Sequence, residues 1–379
     1  MLGSCWLVYA ALMMKREMIV HAPPRIARLM RVALAKSALV FNQGVFATLV
    51  GVGGASAEAP LKFDLPVRCT TLDDTANPCR VQNRVDMDLS DIRLDGLCQR
   101  HTYNNHKGTD FRVVTLADMA KNVPVIAMAD GVVVGLRDGM ADRGVTDQAS
   151  RRAVKGKECG NGLMLKHRDG WTTQYCHLLK GSVAWKKGAR VKRGERLGAI
   201  GLSGFTEFPH VHVSVRRGEQ VMDPLSGRAM GQPACGVPGA KMLDAKTALF
   251  TPAAVKAIER HVSPLMEAGF SSATVKRKQA QAGQLPKPAL GNPLVFYGYF
   301  MNINRGDRMR ITVTQADGTG ERKVWVRQIS KPLPVDRPSH VIYAGRKSGP
   351  KAGHSYEGQV ELIREGRIIF VSKKKRVRF

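Results

Sequence analysis

From residue 124 onward the apolar positions fall in short runs with a period near two, rather than in the 3.6-residue stripe of a helix. Residues 124–128, 132–136, 163–167, 172–178, 197–200 and 211–215 carry β-branched, aromatic or other apolar residues in this way, and Gly, Asp-Gly or Lys-Gly pairs separate them. Arg168-Asp169-Gly170 between two alternating runs predicts a hairpin. The same alternation returns at 294–302, 308–315, 323–329, 359–363 and 367–372, with Glu365-Gly366 as a tight turn. One segment breaks the pattern. Thr251 as cap, Pro252 in the first turn and apolar residues at 255, 258, 262 and 265 predict a single short helix.

The expected architecture is therefore mainly β: an antiparallel domain, one linking helix, and a small sandwich-like second domain. We divide the chain into 1–57, a start extension with a signal peptide; 58–100, a polar, turn-rich, cysteine-containing lead-in that wraps the first domain; 101–240, the first β domain; 241–293, helix and linker; and 294–379, a basic accessory β domain. Residues 138–158 are charged and too long for a tight turn, so they are expected as a surface loop able to cover a neighbouring groove, as is the lead-in.

The first segment carries a targeting pattern. Met30-Arg31 and Lys36 precede an apolar run at 37–54, followed by Ala55-Ser56-Ala57, a small-x-small site. Cleavage is expected after Ala57, with an uncleaved anchor as the alternative, and Met30 is the better initiator. Export explains the cysteines. Removing the segment leaves six, an even number, and no C-x-x-C zinc pattern occurs among them. Cys69 with Cys79 and Cys159 with Cys176 are the favoured pairs, being near neighbours in a turn-rich stretch and near opposite ends of a hairpin. Cys98 with Cys235 follows by elimination.

Hydrophobic content of 44% and charged content of 24% are ordinary for a globular chain, so neither a polytopic membrane protein nor a disordered one is the default expectation. The charge balance is not ordinary: 59 Lys and Arg against 31 Asp and Glu give a formal +28. Residues 241–379 hold 26 basic against 10 acidic residues. A polyanionic partner is expected, either an anionic envelope polymer or lipid met by the basic C-terminal domain. Nucleic acid is disfavoured by export and by the lack of interleaved aromatics.

Six of the ten histidines, His101, His106, His167, His177, His210 and His212, lie between residues 101 and 212. On a strand rising about 3.3 Å per residue, His210 and His212 point to one side, about 6.6 Å apart. The simpler arrangement makes one a metal ligand and leaves the other for proton or oxyanion work. His106 and Asp110, with Gly108 allowing a bend, supply an imidazole and a carboxylate; with His212 they form a three-ligand set that leaves the fourth zinc position open, the catalytic pattern.

HKGTDF (106–111), TTQYCHL (172–178) and GLSGFTEFPHVHVSV (201–215) together resemble the lysostaphin-type, LytM-like zinc peptidases, whose elements are HxxxD, a strand ending in HL, and HxH. The resemblance spans roughly 100–226. It implies one zinc ion held by His106, Asp110 and His212, two non-ligand catalytic histidines, His177 and His210, and hydrolysis of peptidoglycan peptide cross-links by a zinc-activated water. His210 as base and His177 as oxyanion stabiliser is the preferred order of two interchangeable roles. VHVSV replaces the usual LHFE, and Cys176 replaces a small residue before the HL histidine. His101 and His167 fall outside the motif and are expected to be structural or surface residues. The alternative function is an inactive LytM-like module that binds and activates a cell-wall hydrolase; the complete histidine and aspartate set argues against it. Nothing points to a paired-carboxylate carbohydrase. A D-Ala–diaminopimelate bond is the expected cross-link.

Overall fold

A computed structural model describes residues 59–379 apart from 72, 233–234 and 236–245. The expected signal peptide and its cleavage point after Ala57 lie outside the described residues. No described helix is long and apolar enough to cross a membrane. In chain order the first half holds β1 (Arg80–Val81), β2 (Thr109–Arg112), α1 (Leu116–Met119), β3 (Pro124–Ile126), β4 (Gly131–Arg137), α2 (Gln148–Ala153), β5 (Asn161–Lys166), β6 (Trp171–Leu178), β7 (Arg190–Val191), β8 (Arg196–Ala199), β9 (His210–Arg217) and β10 (Gln220–Met222). The second half holds α3 (Pro252–Arg260), β11 (Leu265–Ser271), α4 (Arg277–Ala282), β12 (Leu294–Ile303), β13 (Arg308–Ala316), β14 (Arg322–Ile329), β15 (Arg337–Arg346), β16 (Ser355–Arg364), β17 (Arg367–Val371) and β18 (Lys375–Arg378).

The first sheet runs β1-β2-β9-β6-β5-β4-β7, with β10 paired to β9 and every strand pair antiparallel. β9 lies inside the sheet, and one of its faces is apolar from Val211 to Val215. Val211, Val213 and Val215 are at most 1% exposed, and each contributes about 1.5–3 kcal/mol by leaving water. The opposite face is then free for His210, His212 and Ser214. A register slip of one residue would exchange the faces, so the valines fix where the histidines point. The expected hairpin forms: Asp169 and Gly170 take positive φ between β5 and β6.

The lead-in joins this core, with Phe63, Leu65 and Val67 buried against the sheet beside Ala254, Val255 and Ile258 of α3. Thr251 caps α3 as expected, accepting from Ala254 N. The helix stops at Arg260, however, and does not reach position 265. Ser263 precedes Pro264, which disfavours helical backbone there, and Leu265 opens a strand. The expected linker also contains the short helix α4.

The C-terminal half is two sheets, β11-β12-β15 and β14-β13-β16-β17, with β18 paired to β16. Phe296 and Phe300 of β12 face Ile311 and Val313 of β13 and Val360 and Leu362 of β16 in one core. The other face of β12, Tyr297, Tyr299 and Met301, packs with Val114 beside the first sheet and with Val275 and Ala280. Burial on both faces explains the unbroken apolar run LVFYGYFM. Three of these strands escaped the pattern: β11, which falls where helix and linker were expected; β15; and β18, which turns the basic end of the chain into a sheet strand. All three expected disulfides, Cys69–Cys79, Cys98–Cys235 and Cys159–Cys176, are formed.

Candidate active site

β2 and β6 flank β9, and this order assembles the site. Asp110 on β2 and Cys176 on β6 are the cross-strand partners of His212, one on each side. His106 stands just before β2. Its Nε2 lies 3.1 Å from Asp110 Oδ1 and 3.1 Å from His212 Nδ1, and His212 Nδ1 lies 2.9 Å from the same carboxylate oxygen. One donor atom from each residue thus lies within 4.8 Å of the others. Gly108 makes this approach possible, since a Cβ there would meet the His212 ring at 2.6 Å.

The donor set suits a cation. His106 Nδ1–H donates to the Arg84 carbonyl at 2.7 Å, which leaves the Nε2 lone pair facing the cluster. Asp110 Oδ2 accepts from Asn83 Nδ2 at 2.7 Å. Burial opposes ionisation of Asp110, but the charges and hydrogen bonds of His106 and His210 outweigh it and hold the carboxyl well below its usual range. Burial lowers His212 against the pull of Asp110. A carboxylate and two imidazoles aimed at one point could hold a metal ion, and because burial is outweighed by Asp110, which raises His106 above the usual histidine range, a proton leaves that ring as a cation enters. Sequence reasoning did not foresee Asn83 and Arg84 as supports. Both lie in the lead-in, 22 or more positions before the nearest ligand in the chain, and neither belongs to a recognisable motif.

His177 and His210 sit beside the cluster, their rings 4.7 Å apart, with His177 6.0 Å from His212. His177 Nδ1–H donates to the Ser203 carbonyl at 2.9 Å, and His210 Nδ1–H donates to the Phe208 carbonyl at 2.9 Å. Both rings in their neutral form therefore present Nε2 as an acceptor. Burial, then the neighbouring charges of His210 and His212, push His177 well below the usual histidine range. His177 also has φ of 63°, rare for a residue with a side chain and characteristic of constrained sites. Phe208 stacks on His210, with centroids 4.4 Å apart, and the Arg112 guanidinium lies 4.6 Å from the Phe208 centroid.

The remaining predicted residues fall elsewhere. His167 is buried between the Asp130 carbonyl at 2.7 Å and Thr173 Oγ1 at 2.8 Å, a structural role. His101 is part-buried outside the cluster, where desolvation and the nearby Arg84 charge push it down to about 4. The 138–158 loop carries α2 and brings Val145 and Arg151 to the groove wall. It is pinned by Asp142, whose carboxylate accepts from the backbone of Lys180 and Leu202 at 2.8 and 2.7 Å.

Residues 104–224 match Peptidase family M23. An uncharacterized metalloprotease of Haemophilus influenzae is 32% identical over 126 residues, 33% of this chain and 22% of that protein. The peptidoglycan DD-endopeptidase ShyA of Vibrio cholerae is 33% identical over 107 residues, 28% and 19% of the two chains. The match thus spans roughly a fifth of the length of these relatives. Among solved structures, the catalytic domain of lysostaphin from Staphylococcus simulans aligns with 24% identity and a TM-score of 0.24, covering 32% of this chain and 77% of that one.

Proposed function

We propose that the protein, whose residues 104–224 match Peptidase family M23, is an exported zinc metallo-endopeptidase of the cell envelope that hydrolyses peptide cross-links of peptidoglycan. The observation that carries the proposal is the convergence of His106 Nε2, Asp110 Oδ1 and His212 Nδ1, with the rings of His177 and His210 beside them. Three disulfides support an oxidising compartment outside the cytoplasm.

Zinc, when bound, supplies Lewis acidity at the scissile carbonyl and lowers the pKa of water toward neutrality. His106, Asp110 and His212 hold the ion, and the Arg84 carbonyl and Asn83 orient two of these ligands. His177 and His210 move protons. With Nδ1–H committed to a carbonyl, each neutral ring can accept a proton from the attacking water at Nε2, and the imidazolium so formed donates to the oxyanion or to the leaving amine. The Ser203 carbonyl thus argues against His177 as an oxyanion donor in its neutral form. Their Nδ1 anchors keep both rings aimed without reorganisation.

The test is digestion of purified sacculi with and without a zinc chelator, the products read by mass spectrometry. Chelator-sensitive release of peptides cut at a D-Ala–diaminopimelate cross-link is expected. No release by a zinc-loaded, folded chain would leave the binding and activating module as the reading.

A further inference from the structure

The groove that holds His177 and His210 does not end at the first sheet. It opens into a cavity of ≈ 310 Å³ whose far wall belongs to the C-terminal half, with Arg277 on α4, Tyr299 on β12 and Arg337 at the start of β15. Charge distinguishes this cavity. Of the acids lining it, Asp336 is engaged by Arg100 at 3.2 Å and Arg93 at 3.7 Å, Glu207 by Arg151 at 2.9 Å, and Asp110 belongs to the metal cluster. Arg112, Arg277 and Arg337 also line the cavity, and none of the three forms an ion pair among the described residues.

Arg112 is the most telling of them. It is 1% exposed, and its guanidinium donates to the carbonyls of Val113 at 3.0 Å and Val114 at 3.1 Å and to the Gln82 side chain, all neutral acceptors. Burying a cation without a paired acid is costly; the acid acting on Arg112 is Asp110, which belongs to the metal cluster, and Arg112 lies beside His210, its cross-strand partner. An anion entering the cavity would supply the missing charge. Phe208 and the Tyr299 ring add aromatic surface to the same space, and the Tyr299 hydroxyl accepts from Arg112, so the lining is mainly polar and its uncommitted charge is positive.

We propose that this cavity is a carboxylate subsite, in which Arg277 and Arg337 contact a free carboxylate of an acidic peptide and Arg112 provides a fixed positive charge behind it. The peptide bond is thereby oriented toward His177 and His210. Guanidinium suits the task because its planar fork matches a carboxylate bidentately. The C-terminal half is then part of the substrate site, not only a surface anchor. The identity of the occupant as substrate rests on the peptidase reading above.

The experiment measures equilibrium binding, so that it stands apart from turnover. The full zinc-loaded chain is titrated against fluorescently labelled acetyl-Lys-D-Ala-D-Ala with a free C-terminal carboxylate and against the same peptide amidated. The acid is expected to bind at least tenfold more tightly, and Arg277→Gln and Arg337→Gln are each expected to remove most of that preference while leaving affinity for the amide and metal content as they were. Equal affinity for acid and amide, no binding of the acid, or equal weakening of both peptides in the variants would overturn the subsite. A chain that prefers the acid yet never cleaves sacculi would instead fail the peptidase reading alone.

Discussion

The backbone N–H of His177 donates to the carbonyl of Cys159 at 2.8 Å, and the residue before it, Cys176, is disulfide-bonded to Cys159. One cysteine therefore holds the strained backbone of a candidate catalytic histidine twice. Cys159→Ser with Cys176→Ser is expected to lower stability by about 3 kcal/mol, as for loops of comparable length, and to lower kcat more than it lowers metal content. Denaturant titration and steady-state kinetics check the two effects. Unchanged kcat would show that His177 keeps its place without the bridge.

The ligand and proton-moving roles separate cleanly by metal analysis. His177→Ala is expected to retain one zinc per chain and to lose about 10²–10⁴-fold in kcat, the range for a general acid–base group. Asp110→Ala and His212→Ala are expected to lose the metal itself. Zinc loss in His177→Ala would reassign the ligands.

Asn83 holds Asp110 Oδ2 at 2.7 Å from within the lead-in. Asn83→Ala is expected to weaken zinc binding by about 10–100-fold, the effect of removing an outer support of a metal ligand. Competition with a chromophoric chelator measures it. Unaltered affinity would make the lead-in a scaffold without influence on the metal.

His101 ties stability to pH. Its imidazole takes a proton near pH 6.5 in the unfolded chain and near pH 4 in the folded one, because burial and the Arg84 charge disfavour the cation. Between those values the unfolded state binds more protons, so stability falls as pH drops from 6.5 toward 4. Urea midpoints at pH 7 and pH 5 are expected to differ less in His101→Leu than in the parent chain. An equal difference would assign the acid sensitivity to other groups.

β12 is buried on both faces, against the sandwich core and against Val114. Deleting 294–379 is therefore expected to give an insoluble chain or a clearly lowered Tm, where sequence alone suggested a removable anchor. Charge exchange on the surface is the sounder probe of envelope binding. Replacing Lys323, Arg327 and Lys347, which are exposed, by Glu is expected to weaken association with sacculi at low salt. Unchanged association would remove the anchoring role.

The sequence by itself determined the candidate chemistry and two of the strands that carry it, β6 and β9; β2, which carries Asp110, was not among the expected strands. Residue types at short range decide alternation, so the valines of β9 placed His210 and His212 on one face, and the Gly in HKGTD permitted His106 and Asp110 to reach a common point. Cysteine parity and local spacing favoured two disulfides, and the third followed by elimination. Tertiary structure decided what depends on separate segments meeting. Asn83 and Arg84 support the ligands because β1 and the lead-in pack beside β2, a pairing that no local pattern encodes. β15 escaped because its partner β12 lies some forty residues earlier in the chain, and α3 stopped early because a proline overrides an apolar spacing that continues through it. The arginine-lined cavity is of the same kind: its walls come from residues more than 160 positions apart, and only packing of the two halves makes their charges one site.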